Sequence, residues 1–385
     1  MFIGTLPKKH SPTTYKVLFP LVFIGMQPCP RFIYFDIKEF IMFGNNFKNR
    51  ITRSITADAA ILALATMAHA TNVACVGNSI TEGYGVWGEK KYPDHLQEML
   101  GSGYTVTNFG KSSMTFAGET IKGGENNATY WKNEKFKAAL ASSPDIVVIE
   151  LGTNDSKYFT DKCIWEGTER YNYLYGQCEK SQLYSDYEAL IDTFAHLPTS
   201  PEIFATLQPY SNNCEWGIMD TAIVSQINPV IKETAVKKGV NIIDLHTLFQ
   251  TPAWFLDDSV HPNASGAQEL AKIVNKYITL AKPRIAQNGA TLSVQGDAYG
   301  FRWYKAGKLI EGADKASLAI SETGTYRALV KVEEGNDSWL LSDKIEVKDL
   351  SATTGIRPTR QTAQPKMRKL HHKVDVKGRI VDGRK

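Results

Sequence analysis

The chain has 385 residues, 43% of them apolar and 22% charged, with a formal net charge of +4 at pH 7. This is ordinary globular composition, long enough for more than one domain. So small a net charge gives no ground for a nucleic-acid or membrane-surface partner, and no run of about 20 unbroken apolar residues exists to span a bilayer.

Residues 1–41 are aromatic, broken by Pro20, Pro28 and Pro30, and without a clean period. Residues 42–70 follow the order of a secretory signal. Lys48, Arg50 and Arg53 form a basic stretch, Ala59 to Met67 an apolar core, and Ala68-His69-Ala70 a small-residue cleavage site. We therefore expect Met42 to be the true start, residues 1–41 to be an over-extended N-terminus, and the mature chain to begin near Thr71. The implied location is secreted, periplasmic or cell-surface. Cysteines there can oxidise: Cys163 and Cys178 can pair with each other, or either can pair with Cys214, and sequence does not fix the connectivity. Cys75, in an apolar strand, is expected to be an inert buried thiol.

From residue 71 to 281, short apolar runs alternate with amphipathic stretches. The strands fall at Val73–Val76, Thr105–Asn108, Ile146–Leu151, Ile203–Leu207 and Val240–Asp244. Between them, Tyr92, Leu96, Met99 and Leu100 share a helix face ended by Gly101, and Ile223, Ile227, Val230, Ile231 and Ala235 share another ended by Gly239. A last stripe runs from Ala267 through Leu270, Ala271, Val274 and Tyr277 to Ile278. Continuous apolar strands alternating with helices predict a mostly parallel five-stranded sheet in a three-layer α/β/α, flavodoxin-like domain. In such sheets the loops after the strand C-termini build the site. After Lys282 the texture changes: residues 284–348 read as a small β-sandwich with Trp303 and Tyr326 in its core. Residues 351–385 read as a basic, disordered tail.

Four motifs sit where the sheet should place chemistry. Gly77-Asn78-Ser79 follows the first strand, where a serine can project its hydroxyl into the crevice. Asn108-Phe109-Gly110 follows the second, and the Gly110 N–H can aim at a developing oxyanion. Gly152-Thr153-Asn154-Asp155 follows the third and offers the Asn154 amide to the same oxyanion. Asp258-Ser259-Val260-His261 precedes the last helix, with a base and its orienting carboxylate three residues apart. Each motif alone is commonplace. In this order, on one α/β unit, the set is not.

Over residues 72–281 the sequence resembles the SGNH (GDSL-like) hydrolase superfamily, whose four blocks carry Ser, Gly, Asn and His, matched here by Ser79, Gly110, Asn154 and His261. The resemblance implies acyl-ester hydrolysis. Ser79 would be the nucleophile, His261 the base and Asp258 its partner, with the N–H groups of Ser79 and Gly110 and the Asn154 amide as oxyanion hole. No metal or other cofactor is expected, because no Cys/His cluster has ligand spacing. Two departures stand out: the usual Gly-Asp-Ser is Gly-Asn-Ser here, and Ser113 occupies a position where many members have glycine.

Within the superfamily the chain is most similar to bacterial carbohydrate O-acetylesterases of the sialate O-acetylesterase-like and acetylxylan esterase-like kinds. It shares with them Tyr130-Trp131, Gly152 to Lys157, Trp216-Gly217-Ile218 and the loop Asp258 to Gly266. This implies a partner substrate of O-acetylated carbohydrate. The insertion after Asn154 holds Tyr158, Phe159, Trp165, Tyr171, Tyr173 and Tyr175; Tyr158 and Trp165 can stack on sugar, and Trp216 can wall the acyl pocket. A lysophospholipase or thioesterase on the same scaffold is the enzymatic alternative, and a non-catalytic glycan-binding module is the alternative of another class. The 284–348 module resembles the immunoglobulin-like β-sandwiches appended to secreted bacterial enzymes, which implies a spacer.

Overall fold

A strand covered on both faces must be apolar throughout, and the first strand, Thr71–Gly77 (β1), buries five consecutive residues from Val73. In a computed structural model of the protein, residues 70–118, 129–159 and 179–354 are described, with the backbone alone of 162–165 and 168–171. The expected over-extended N-terminus, the signal up to His69 and the tail from 355 lie outside the described residues. So do the side chains of Cys163, Trp165 and Tyr171, and all of Tyr173, Tyr175 and Cys178.

β1 pairs in parallel with Tyr104–Gly110 (β2) on one side and Ile146–Glu150 (β3) on the other. A backbone hairpin of Lys162–Trp165 (β4) and Thr168–Tyr171 (β5) follows. Glu202–Leu207 (β6) and Asn241–Asp244 (β7) complete the parallel part, in spatial order β2-β1-β3-β6-β7. This is the expected five-stranded, flavodoxin-like arrangement, with its reversal of strand order beside β1. Gly77 lies opposite Gly110 in β2 and Glu150 in β3. The loops leaving these three strands therefore emerge side by side.

Among the described residues, the α-helices of four residues or more around the sheet are Ser79–Glu82 (α1), Tyr92–Leu100 (α2), Glu134–Ala141 (α3), Lys180–Ala195 (α4), Asn228–Lys238 (α5), Leu245–Leu248 (α6) and Ala264–Thr279 (α7). Leu96 of α2 and Leu270 and Val274 of α7 bury against Val73, Val148 and Ile243 on one face. Phe136 of α3, Leu190 and Phe194 of α4, and Ile231 of α5 bury against Val147, Ile149 and Ile242 on the other. Each such aliphatic side chain contributes about 2 kcal/mol of burial. No helix among the described residues is long and apolar enough to cross a membrane.

The C-terminal strands differ from the expectation of a separate module. Arg284–Asn288 (β8), Thr291–Gln295 (β9) and Ser317–Ala319 (β12) form a three-stranded antiparallel sheet. Gly300–Lys305 (β10), Lys308–Leu309 (β11), Gly324–Lys331 (β13), Trp339–Leu341 (β14) and Ile345–Val347 (β15) form a second antiparallel set. Trp303, Tyr326 and Leu292 are buried between the two layers. The second set is continuous with the parallel sheet, because β14 pairs antiparallel with β7 at Trp339 and Ile242, giving ten strands among the described residues. The junction is polar and apolar at once. Asn241 Oδ1 accepts from Leu341 N at 2.8 Å, and Asp244 Oδ2 from Asp337 N at 2.8 Å. Tyr304, Leu329 and Trp339 share one core with Val147 and Ile242.

Candidate active site

The turn after β1 needs a glycine for room. A Cβ on Gly77 would sit 1.9 Å from Thr81 Oγ1 and 2.8 Å from the Glu150 carbonyl. Asn78 then caps α1, its Oδ1 accepting from Ile80 N at 2.8 Å. That sets Ser79 at the first position of α1, at the sheet's carboxyl end. Beneath it Glu150 is fully buried, accepting from Thr81 Oγ1 at 2.9 Å and from Asn78 Nδ2 at 3.4 Å. Asn78 thus faces Glu150 with an amide donor, where an aspartate would set two acidic groups side by side in a buried site. This gives a physical reason for Gly-Asn-Ser in this chain.

The loop before α7 brings the base. Asp258 Oδ1 accepts from the N–H groups of Val260 and His261, each at 2.9 Å, and Ser259, between Asp258 and Val260, takes φ 57°. This closed turn aims the ring: His261 Nδ1 lies 2.8 Å from Asp258 Oδ2, and Nε2 lies 2.8 Å from Ser79 Oγ. Asn213 Nδ2 donates to the Asp258 carbonyl at 3.1 Å and ties the turn to the domain. Burial pushes the Asp258 carboxyl up, but the hydrogen bonds from the His261 ring and the two N–H groups outweigh it. The carboxyl is held below its usual value, and so stays charged to orient the imidazole.

Asn154 lines the same cavity and donates Nδ2 to the Met114 carbonyl at 3.1 Å. Gly110 does not line it. Its N–H donates to Asn108 Oδ1 at 2.8 Å, and a Cβ there would lie 2.2 Å from Glu82 N. Gly110 is therefore the position where β2 passes against the backbone of α1, and its donor is already engaged. The residues that reach the cavity from this loop are Ser112 and Ser113, the latter at φ 66°. Among the described residues neither Ser79 N nor Ser113 N has a hydrogen-bond partner. The loop is stapled to α1 by Ser112, which donates its N–H to Glu82 Oε2 at 2.7 Å. It is fixed on its far side by Asp155, which accepts from Phe116 N and Ala117 N.

The cavity has a volume of about 370 Å³ and is walled by Tyr84, Trp216, Ile218, Glu215 and Lys157 as well as the residues above. Burial pulls the Lys157 ammonium down to about 8, against the attraction of Asp155. Trp216 lies beside the His261 ring at 5.4 Å between centroids. Tyr158 packs partly buried against the main core and is not among the residues lining the cavity. The Trp165 side chain is outside the described residues. Sequence reasoning missed Tyr84, whose ring lies 4.4 Å from that of His261. The available signal was an aromatic between Gly83 and Gly85, one turn after the serine. Cys214, next to this wall, is disulfide-bonded to a cysteine whose side chain is not described.

A serine, a histidine and an aspartate joined by two 2.8 Å contacts at the strand ends of a flavodoxin-like sheet have the arrangement of an SGNH-type serine-hydrolase triad. The chain belongs to the GDSL-like lipase/acylhydrolase family, whose model matches residues 75–269. An acetylxylan esterase of Xylanibacter ruminicola is 35% identical over 221 residues, which cover 53% of this chain and 42% of that protein. A multidomain esterase of Ruminococcus flavefaciens is 28% identical over 179 residues, 44% of this chain and 19% of its own length. The chain thus spans less than half of either relative. Among solved structures, an acetylxylan esterase from Geobacillus stearothermophilus aligns at TM-score 0.40 and 18% identity, over 55% of this chain and 95% of its own. A carbohydrate acetylesterase from Sinorhizobium meliloti aligns at TM-score 0.40 and 17% identity, over 54% and 98%.

Proposed function

We propose that the protein is a secreted serine esterase that removes O-acetyl groups from carbohydrate through an acyl-enzyme. The observation that carries this is the Asp258–His261–Ser79 chain opening into a small cavity walled by aromatic rings. Ser79 Oγ attacks the ester carbonyl while His261 Nε2 takes its proton. The developing oxyanion is held by Ser79 N–H, by the Asn154 amide and by Ser113 N–H, which takes the place expected of Gly110. Collapse releases the sugar hydroxyl, protonated by His261, and leaves an acetyl-serine. Water, activated by the same imidazole, then frees acetate. A disulfide at Cys214 supports an oxidising compartment and hence the secretory signal. We read the C-terminal strands as an immunoglobulin-like sandwich that also closes the edge of the parallel sheet.

Rates on acetylated glycans, short acetyl esters and medium-chain acyl esters test the reading, beside a Ser79→Ala variant. We expect acetyl esters to be preferred, the variant to lose activity, and a serine-directed phosphonate to label only the unmodified protein. Preference for acyl chains longer than about eight carbons would overturn the choice of substrate. Equal inertness of both proteins on every ester would overturn the enzyme.

A further inference from the structure

Trp87 is 72% exposed, the most open large apolar side chain among the described residues. A single exposed ring needs no explanation by itself. This one is continuous with the active site. Its centroid lies 5.4 Å from that of Tyr84, edge to face at 71°, and Tyr84 in turn lies 4.4 Å from the His261 ring and 6.3 Å from Trp216. An unbroken aromatic surface thus runs from the catalytic imidazole out to Trp87.

The surface is anchored to the nucleophile. Gly83 N and Tyr84 N both donate to the carbonyl of Ser79, at 2.9 and 3.0 Å. Val86, between the two rings, is buried. Gly85 holds φ 82° against Leu256, where a Cβ would meet Leu256 Cδ1 at 2.2 Å. The backbone that carries the two rings is therefore set in place before any ligand arrives, which lowers the ordering cost on binding.

We propose that Tyr84 and Trp87 form a stacking subsite for a sugar ring adjoining the one that bears the acetyl group, so that the substrate is an acetylated oligo- or polysaccharide. The proposal rests on the carbohydrate-esterase reading above. A pyranose has one apolar C–H face and a rim of hydroxyls. It can lie on an open indole while its rim stays in water. An acyl chain has no polar rim and gains from enclosure on several sides, which a ring this exposed does not give. The neighbours Glu89, Lys90 and Lys91 are polar and mostly exposed, which suits hydroxyls and not a lipid.

The test compares the unmodified protein with Trp87→Ala and Trp87→Phe on an aryl acetate, a long-chain acyl ester, an acetylated monosaccharide and acetylated xylo-oligosaccharides of increasing length. We expect Trp87→Ala to lower the ratio of kcat/KM on oligosaccharide to that on aryl acetate about three- to ten-fold, the range of one stacking contact. The loss should lie in KM and grow from monosaccharide to oligosaccharide, and Trp87→Phe should restore most of it. An unchanged ratio, with the unmodified protein active on acetylated sugars, would overturn the subsite and leave the esterase reading intact. An unmodified protein inactive on every acetylated carbohydrate would overturn both. A loss confined to long acyl esters would assign the surface to lipid and overturn the proposal.

Discussion

Replacing Glu150 by Gln should remove a large part of the loss of stability with rising pH. Glu150 is 1% exposed beneath the nucleophile turn. Burial raises its pKa from 4.5 to about 8, with the hydrogen bonds from Thr81 and Asn78 opposing only in part. Between those values the folded protein keeps a proton that the unfolded chain has released. The stabilisation from this group is therefore complete below the unfolded value and is lost as pH rises through the folded one. Each pH unit of that window is worth about 1.4 kcal/mol, so the full span comes to about 3–5 kcal/mol. Gln has nearly the shape of the protonated acid and cannot ionise. Urea denaturation with linear extrapolation, repeated between about pH 5 and pH 9, reads the difference. The two proteins should differ by about 1 kcal/mol or less at the acid end, near the net worth of one altered hydrogen bond. The Gln variant should be ahead by about 3–5 kcal/mol at the alkaline end. Asp155, raised to about 7 by burial, tilts both curves equally and cancels. Curves that stay parallel across the range would refute a proton held on Glu150.

Asn154→Ala should lower kcat about a hundred- to a thousand-fold with little change in KM, measured on an aryl acetate, because the lost donor acts on the transition state. Ser113→Gly keeps the N–H and relieves a side chain held at φ 66°, so activity should persist while stability rises by about 1 kcal/mol in thermal denaturation. Gly110→Ala should instead cost about 2 kcal/mol or more, since its Cβ would lie 2.2 Å from the backbone of Glu82.

The parallel core was legible because Val73 to Val76 and Ile146 to Ile149 are short continuous apolar runs, rich in β-branched residues and followed by turn residues, as a doubly covered strand requires. The Ser79, Asp258 and His261 contacts were legible because short motifs at strand ends imply proximity once the sheet is known. What sequence could not supply was backbone conformation and distant pairing. Gly110 drew the oxyanion assignment because glycine exposes an N–H. Yet the left-handed, cavity-facing residue is Ser113, and no residue type announces its φ. Trp339 to Leu341 is a three-residue run, too short to register as a strand, and its partner Ile242 lies about a hundred residues earlier. Tyr84 carried only a local signal, because its importance comes from a histidine far along the chain.

The joining of β14 to β7 alters where this protein can be divided. β7 would otherwise be a bare sheet edge, with unpaired N–H and C=O groups open to another chain. Trp339 and Leu341 close that edge, and their apolar side chains share the catalytic core. The C-terminal strands therefore serve as a built-in edge guard. A catalytic fragment ended near Lys282 would lose more than an appendage, because it would expose a template for intermolecular strand pairing beside a newly opened apolar surface.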